Sequence, residues 1–280
     1  MKREYIYLSL AIILWSLIPA ISKLASSHID IGVYLFYSNF LSAIAILPFI
    51  KIKEFNKSSF FRGIIYGFLG VFAYYLLIYN AYKYSRSSQD IIIIQYLWSP
   101  LTALFGFIIL KERLSFKKIA ALFIAFLALV VTVTKGFSNL PSFNSLYAQI
   151  LAFIAAIFFA FYSVISKKLS SKSAANDIFL TFIFAFIYSC IYLLFTKETP
   201  KIPKDAIFYL TINGLFINGI SYLFWLWALQ KIEASKASVF TLFTAIVASF
   251  WVFLLIGESL KFEFFISLAL LLIATKLVLK

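Results

Sequence analysis

Ten apolar windows free of charge follow one another along the chain, at about Tyr5–Ser22, Ile31–Ile50, Gly63–Tyr82, Ile91–Leu110, Ile119–Thr134, Tyr147–Ser166, Ile178–Thr196, Ala206–Leu229, Ala237–Ile256 and Phe264–Thr275. Nearly all approach the roughly 20 residues that an α-helix needs to cross the hydrocarbon core of a bilayer. The apolar positions run on without the period-2 alternation of a porin strand, and open sheets cannot span lipid, so the pattern predicts helices. The last window is the shortest, and it reaches Leu279 only if Lys276 snorkels to the interface. The first follows Lys2 and Arg3 as a signal peptide would, but no small-residue cleavage site closely follows it, so it reads as a retained span. The fold class is therefore all-α integral membrane, with ten transmembrane helices.

Charges mark the ends of these windows and set their orientation. With the amino terminus inside, 17 of the 25 Lys and Arg fall on the cytoplasmic side and 8 outside. That bias places both termini in the cytoplasm of a multi-pass protein of a prokaryotic inner membrane. An internal repeat then sets the architecture. Ile21-Ser22-Lys23-Leu24 near the end of span 1 recurs as Ile165-Ser166-Lys167-Lys168 near the end of span 6, 144 residues on. Ile109-Leu110-Lys111-Glu112-Arg113-Leu114 after span 4 is answered by Leu255-Ile256-Gly257-Glu258-Ser259-Leu260 after span 9, 146 residues on. The chain divides into two five-helix repeats, residues 1–138 and 139–280. Because five is odd, the second enters the membrane in the opposite sense, and such inverted repeats enclose a central cavity in secondary transporters.

Composition narrows the function further. With 63% of residues hydrophobic and only 13% charged, ten spans leave too little chain for a folded domain outside the membrane. A soluble enzyme, a nucleic-acid binder and a pump with an attached motor domain are excluded. The formal net charge of +14 belongs to cytoplasmic loops and anionic headgroups of membrane lipid, with no nucleic-acid partner. One cysteine, Cys190, permits no internal disulfide. The Ile, Phe, Lys and Ser bias is that of an A/T-rich prokaryotic genome.

Candidate chemistry is neutral and aromatic. All four aspartates and all seven glutamates flank the spans, which argues against a carboxylate relay at the midplane and against paired intramembrane aspartates. No phosphate loop occurs, and the lone His28 has no Cys or His cluster, so neither a metal nor a cofactor is expected. The spans instead carry Trp15 ahead of Pro19; Tyr75, Tyr79 and Tyr82 on one face beside Asn80; Gln95, Tyr96 and Trp98 ahead of Pro100; Phe159, Tyr162 and Ser163; Asn218, Tyr222 and Trp225; and Thr241 and Thr244. A cavity so lined suits a small, partly apolar solute held by stacking and a few hydrogen bonds. Structural readings stand beside this one. Tyr82, Trp225 and Trp227 also suit interfacial anchors, and Asn80, Gln95 and Asn218 suit bonds between helices. Gly63, Gly67 and Gly70 suit close helix packing. Glu112 and Glu258 suit interfacial ion pairs with Lys111, Arg113 and Lys261 better than proton coupling.

Ten short spans in two inverted halves, Trp15-Ser16, and the Lys111–Leu114 turn echoed at Gly257–Leu260 resemble the drug/metabolite transporter superfamily in its EamA-type branch. Residues 11–16 and 95–102, and Leu151-Ala152-Phe153-Ile154-Ala155-Ala156, are similar to segments of the YddG-type aromatic amino-acid exporters. The resemblance covers essentially the whole chain. It implies a basket of ten helices whose spans 1, 3, 4, 6, 8 and 9 face a cavity, with Trp15, Tyr75, Tyr79, Tyr96 and Trp98 along the substrate path. Phe159 stands where those exporters carry a tryptophan, and Ile246 where many members have a proline matching Pro100.

The expectation is a transporter, not an enzyme, that exports small amphipathic metabolites by alternating access, aromatic amino acids first. No midplane cation or anion is present to hold an oppositely charged cargo, so the substrate is neutral or zwitterionic. Another neutral solute or drug on the same fold is the alternative. An intramembrane lipid-modifying enzyme would need a nucleophile–base pair or a metal at depth, and the spans offer neither.

Overall fold

The computed structural model describes residues 2–18, 29–85, 88–139, 144–169, 173–197, 199, 201–202, 204–257 and 262–279. Among these every regular element is helical. The helices are α1 (Arg3–Ser16), α2 (Ile31–Phe49), α3 (Lys57–Tyr84), α4 (Asp90–Leu110), α5 (Phe116–Val133), α6 (Leu146–Lys168), α7 (Ala174–Thr196), α8 (Ile207–Leu229), α9 (Ala234–Leu255) and α10 (Phe262–Leu279). Within the described residues nine of them, α2 to α10, are long and apolar enough to cross a membrane. The α1 helix is described over 14 residues. Pro19, His28, Lys23 and Glu258 lie outside the described residues.

Helix ends follow capping chemistry and not the charge-free windows. The α3 helix begins six residues before its window, at Lys57, because the Asn56 side chain accepts from the Ser59 backbone N–H at 2.9 Å. In the same way Ser173 receives the Asn176 N–H at 3.3 Å and starts α7 at Ala174. At the other end of the chain α10 continues past the exposed Lys276 to Leu279.

The strongest helix packing joins the first five helices to the second five. The α1 helix packs on α8 and α9, α2 on α7 and α8, α3 on α6 and α7, α4 on α6 and α9, and α5 on α10. Moving every helix in that set on by five returns the same set, which is the two-repeat fold seen in its contacts. Glycines let two of these pairs approach closely. A Cβ on Gly67 of α3 would lie 2.6 Å from the Thr181 carbonyl oxygen and 2.9 Å from the Ala185 nitrogen of α7. A Cβ on Gly214 of α8 would lie 2.6 Å from Leu41 Cβ of α2. The packing reading of α3's glycines is thus the one the structure bears out.

Irregularities recur at matching places. The α3 helix widens to π geometry at Gly67–Phe72, and α8 does so at Asn213–Ile220, 146 residues on. The α4 helix breaks after Gln95 and restarts at Trp98, and α9 breaks after Thr241 and restarts at Phe243. Pro100 sits in the first turn of the restarted α4, where its missing N–H costs least, and the Tyr96 carbonyl is taken by Ser99 N–H at 3.1 Å. The α9 break has no proline. There Ser238, Thr241 and Thr244 hydroxyls bond back to carbonyls of their own helix at 2.6–2.8 Å. The two breaks touch, since Ser99 Oγ of α4 donates to the Ser238 carbonyl of α9 at 2.7 Å. Both α4 and α9 end on a left-handed residue, Lys111 at φ 57° and Gly257 at φ 81°.

A buried ion pair ties α3 to α7 at the end of the bundle where α1 begins, here the proximal end. Arg62 Nε and Nη2 both lie 3.0 Å from Asp177 Oδ1, and the Asp177 side chain is 0% exposed. The Ser58 hydroxyl accepts from Nη1 at 2.7 Å, and the Ser59 hydroxyl accepts from Nη2 at 3.1 Å. The charge flanks a span as the sequence implies, but it faces the protein and not the headgroups. Removing one partner of such a pair strands the other charge. Asp177→Asn should therefore lower the stability of the purified protein by about 3–5 kcal/mol, read from thermal or denaturant unfolding in detergent; an unchanged transition would show that the pair contributes nothing.

Candidate functional site

Broken and widened helices converge on one layer of rings. Trp15 of α1 meets Trp98 of α4 at 6.2 Å, Phe159 of α6 at 6.1 Å and Tyr222 of α8 at 6.0 Å between centroids, each edge to face. Trp98 and Phe159 are closer still, at 4.9 Å. Such pairs favour edge-to-face geometry because the ring edge is positive and its face negative. Tyr162 borders the layer through Phe159 and Tyr222 at 5.8 and 6.1 Å, and Trp225 borders it through Trp15 and Trp98 at 5.5 and 5.9 Å. Every ring named here is buried. In this conformation these buried rings lie against one another where a cavity is expected.

Polar groups lie directly against this layer. Tyr75 OH donates to Asn218 Oδ1 at 2.9 Å, and Asn218 Nδ2 donates to Ser38 Oγ of α2 at 2.8 Å. Asn213 Nδ2 donates to the same Ser38 oxygen at 3.1 Å. Residues five apart on an α-helix point about 140° away from each other. The π segment of α8, with its i to i+5 turn, brings Asn213 and Asn218 onto one hydroxyl. The π segment of α3 serves the site as well, since Tyr222 OH donates to the Gly70 carbonyl at 3.0 Å. Gly70 has no substitute here, because a Cβ would lie 2.3 Å from Tyr162 Cγ.

Toward the far end the site is less buried. Tyr79 stacks on Tyr75 at 5.7 Å and meets Tyr34 edge to face at 5.2 Å. Gln95 accepts from Tyr82 OH at 2.9 Å and donates from Nε2 to Tyr74 OH at 2.8 Å. Tyr34, Tyr79, Tyr82 and Gln95 are half-buried.

Of the residues singled out from the sequence, Trp15, Tyr75, Tyr79, Gln95, Trp98, Phe159, Tyr162, Asn218 and Tyr222 thus come together. Two do not join the ring layer. Asn80 Nδ2 bonds its own helix at the Leu76 carbonyl, 2.7 Å away. Tyr96 sits at the α4 break and packs with the cluster of α5, α9 and α10. Trp225 is no interfacial anchor, being 0% exposed, while Trp227 packs beside Tyr7 and Phe49. Tyr34, Ser38, Tyr74 and Asn213 belong to the site and escape the sequence reading. The one available signal was two Asn-Gly pairs, Asn213-Gly214 and Asn218-Gly219, spaced by five.

The proximal end is tied by charges. Glu112, just past α4, accepts from Lys167 Nζ of α6 at 2.6 Å and from the backbone N–H groups of Ala234 and Ser235 at 2.9 and 3.3 Å. It therefore caps the amino end of α9 while pairing with Lys167, and its partner is not the neighbouring Lys111 or Arg113. Lys167 also donates to the Ile232 carbonyl at 2.6 Å. Glu233 beside them accepts from Lys118 and Lys236 at 3.1 Å each. Partial burial pushes the Glu233 carboxyl up, but the two lysines outweigh it and hold it below its ordinary value. The repeat counterparts of Lys167 and Glu112, Lys23 and Glu258, are outside the described residues.

Known proteins show the family and the fold. The model of the EamA-like transporter family matches residues 2–134 and again 146–280, so the chain belongs to that family. An uncharacterized transporter of Archaeoglobus fulgidus is 26% identical over 270 residues, covering 92% of each chain. One of Clostridium kluyveri is 24% identical over 289 residues, covering 98% of this chain and 92% of its own. A crystal structure at 15% identity superposes with a TM-score of 0.83 over 99% of this chain and 97% of the other, and shows the fold. The protein is a multi-pass membrane transporter of a small molecule.

Tyr75→Phe tests the polar edge of the site. It leaves Asn218 Oδ1 buried without its donor and should cost about 1–3 kcal/mol of stability, measured by thermal unfolding. A cost near zero would mean that the Tyr75–Asn218 bond holds nothing in place.

Proposed function

We propose that the protein exports small neutral or zwitterionic amphipathic metabolites, aromatic amino acids foremost, by alternating access, with its proximal end in the cytoplasm. The observation that carries this is the ring layer, built from α1, α4, α6 and α8, with amide and phenol groups of α3 and α8 at its edge and no charged side chain among these residues. Such a surface holds a flat, partly apolar solute by stacking and orients its polar end by hydrogen bonds. It offers no counter-ion to a cargo of net charge, whose desolvation would go uncompensated. The 17 to 8 distribution of Lys and Arg supports the orientation.

Alternating access needs one end shut while the other admits solute. The Glu112 knot joins α4, α6 and the α8–α9 connection at the proximal end, while the half-buried Tyr34, Tyr79, Tyr82 and Gln95 lie toward the other. This is a conformation shut toward the cytoplasm, and opening there must part Glu112 from Lys167.

Counterflow in proteoliposomes tests the cargo. Labelled L-tryptophan or L-phenylalanine should enter vesicles preloaded with the unlabelled amino acid, with or without a pH gradient. Failure to exchange any amino acid would remove this cargo and leave another neutral solute, and strict dependence on the gradient would replace self-driven export by proton coupling. A second experiment tests the knot. In a Cys190→Ser background, Ser163→Cys places a lone thiol at a buried position of α6 whose hydroxyl has no partner to lose. Adding Glu112→Gln should raise its labelling by a maleimide applied from the proximal side several-fold. Equal labelling with and without Glu112→Gln would show that the knot does not govern access.

A further inference from the structure

Trp225 presents a buried donor with nothing to bond among the described residues. Its ring is 0% exposed, and among those residues its Nε1 has no hydrogen-bond partner. Leaving a buried N–H unpaired is costly, and each such group in a native structure calls for a reason. Indole is a donor only, so whatever satisfies it must be an acceptor. Trp225 lies one turn beyond Tyr222 on α8, so that Asn218, Tyr222 and Trp225, at i, i+4 and i+7, share one face of that helix. Two of the rings that make the layer, Trp15 and Trp98, lie 5.5 and 5.9 Å from it. Tyr162, also 0% exposed and with its OH unpartnered among the described residues, borders the same layer across Tyr222.

We infer that the Trp225 indole N–H is a cargo-binding group, donating to a carboxylate or carbonyl oxygen of the solute once the solute parts the rings. The inference rests on the cargo reading above and sharpens it: the solute carries an acceptor oxygen, and its recognition uses a neutral indole in place of an arginine or lysine. Stacking on Trp15 and Trp98 holds the flat part of the solute while Trp225 fixes the oxygen. The donor thus distinguishes an amino acid or its amide from the corresponding amine.

Equilibrium binding of labelled L-tryptophan to the detergent-solubilised protein, with L-tryptophanamide and tryptamine as competitors, tests this. Tryptamine keeps the ring and the ammonium but has no acceptor oxygen. Tryptophanamide and tryptamine both carry the ammonium without a carboxylate, so the native protein should prefer the amide to the amine by roughly tenfold or more, as expected for one hydrogen bond to an otherwise unpaired buried donor. Trp225→Phe should erase most of that preference. The ratio of affinities separates the hydrogen bond from any general loosening caused by the smaller ring. Equal affinity of the native protein for tryptophanamide and tryptamine overturns the inference, even if the variant does not fold. A preference that survives in Trp225→Phe overturns it too, with the cargo reading intact. If the native protein binds none of the three, the cargo reading fails and this inference falls with it.

Discussion

The fold depends on the close contact of backbones from opposite halves. At Gly67 the α3 chain lies so near the backbone of α7 that no side-chain carbon fits between them, and at Gly214 α8 lies as close to α2. In lipid there is little hydrophobic force to draw two apolar helices together, so such contacts must come from van der Waals packing and from bonds that cross the interface. Both are present. Arg62 reaches Asp177 from α3 to α7, and Asn213 and Asn218 reach Ser38 from α8 to α2. With the halves interlocked this way, the rings of α1, α4, α6 and α8 have no choice but to meet between them.

The same constraint explains the departures from regular helix. A helix of fixed α pitch cannot turn Asn213 and Asn218 to one oxygen, and where α4 and α9 break, Ser99 meets the buried carbonyl of Ser238. Widened and broken turns are tolerated in a membrane only where protein side chains take up the freed backbone groups. Here the hydroxyls of Ser42, Ser99 and Tyr222 do so, reaching carbonyls on partner helices at 2.7–3.0 Å. The irregular turns and the ring layer therefore occupy the same level of the bundle.

Much of this was legible in the sequence. Apolar windows mark membrane helices because a charge in lipid is costly, and the recurrence of Lys-Glu-Arg-Leu as Gly-Glu-Ser-Leu reveals the repeat. Helix ends were misplaced where Asn56 and Ser173 cap, since a window bounded by charge cannot see a polar first turn. Asp177 and Arg62 read only as charges at span ends, and the chain alone does not say that those ends face each other. Glu112 read correctly as an ion-pairing residue, but its partner is 55 positions away in the sequence. Trp225 stayed undecided between anchor and lining for a related reason: indole suits both, and only burial distinguishes them. The widened turns were hidden because the α period is the assumption behind any helical reading.

The cross-half packing of the helices also sets a schedule for biogenesis. The first five helices emerge from the ribosome and enter the bilayer with most of their partners still unmade. At about 5–20 residues per second, the remaining stretch of roughly 140 residues takes on the order of 7–28 s to appear. For about the first 40 of those residues Arg62 is in place without Asp177, and the glycine face of α3 without α7. The partners then arrive in turn, and α5 waits longest, because α10, on which it packs, is the last helix to be made.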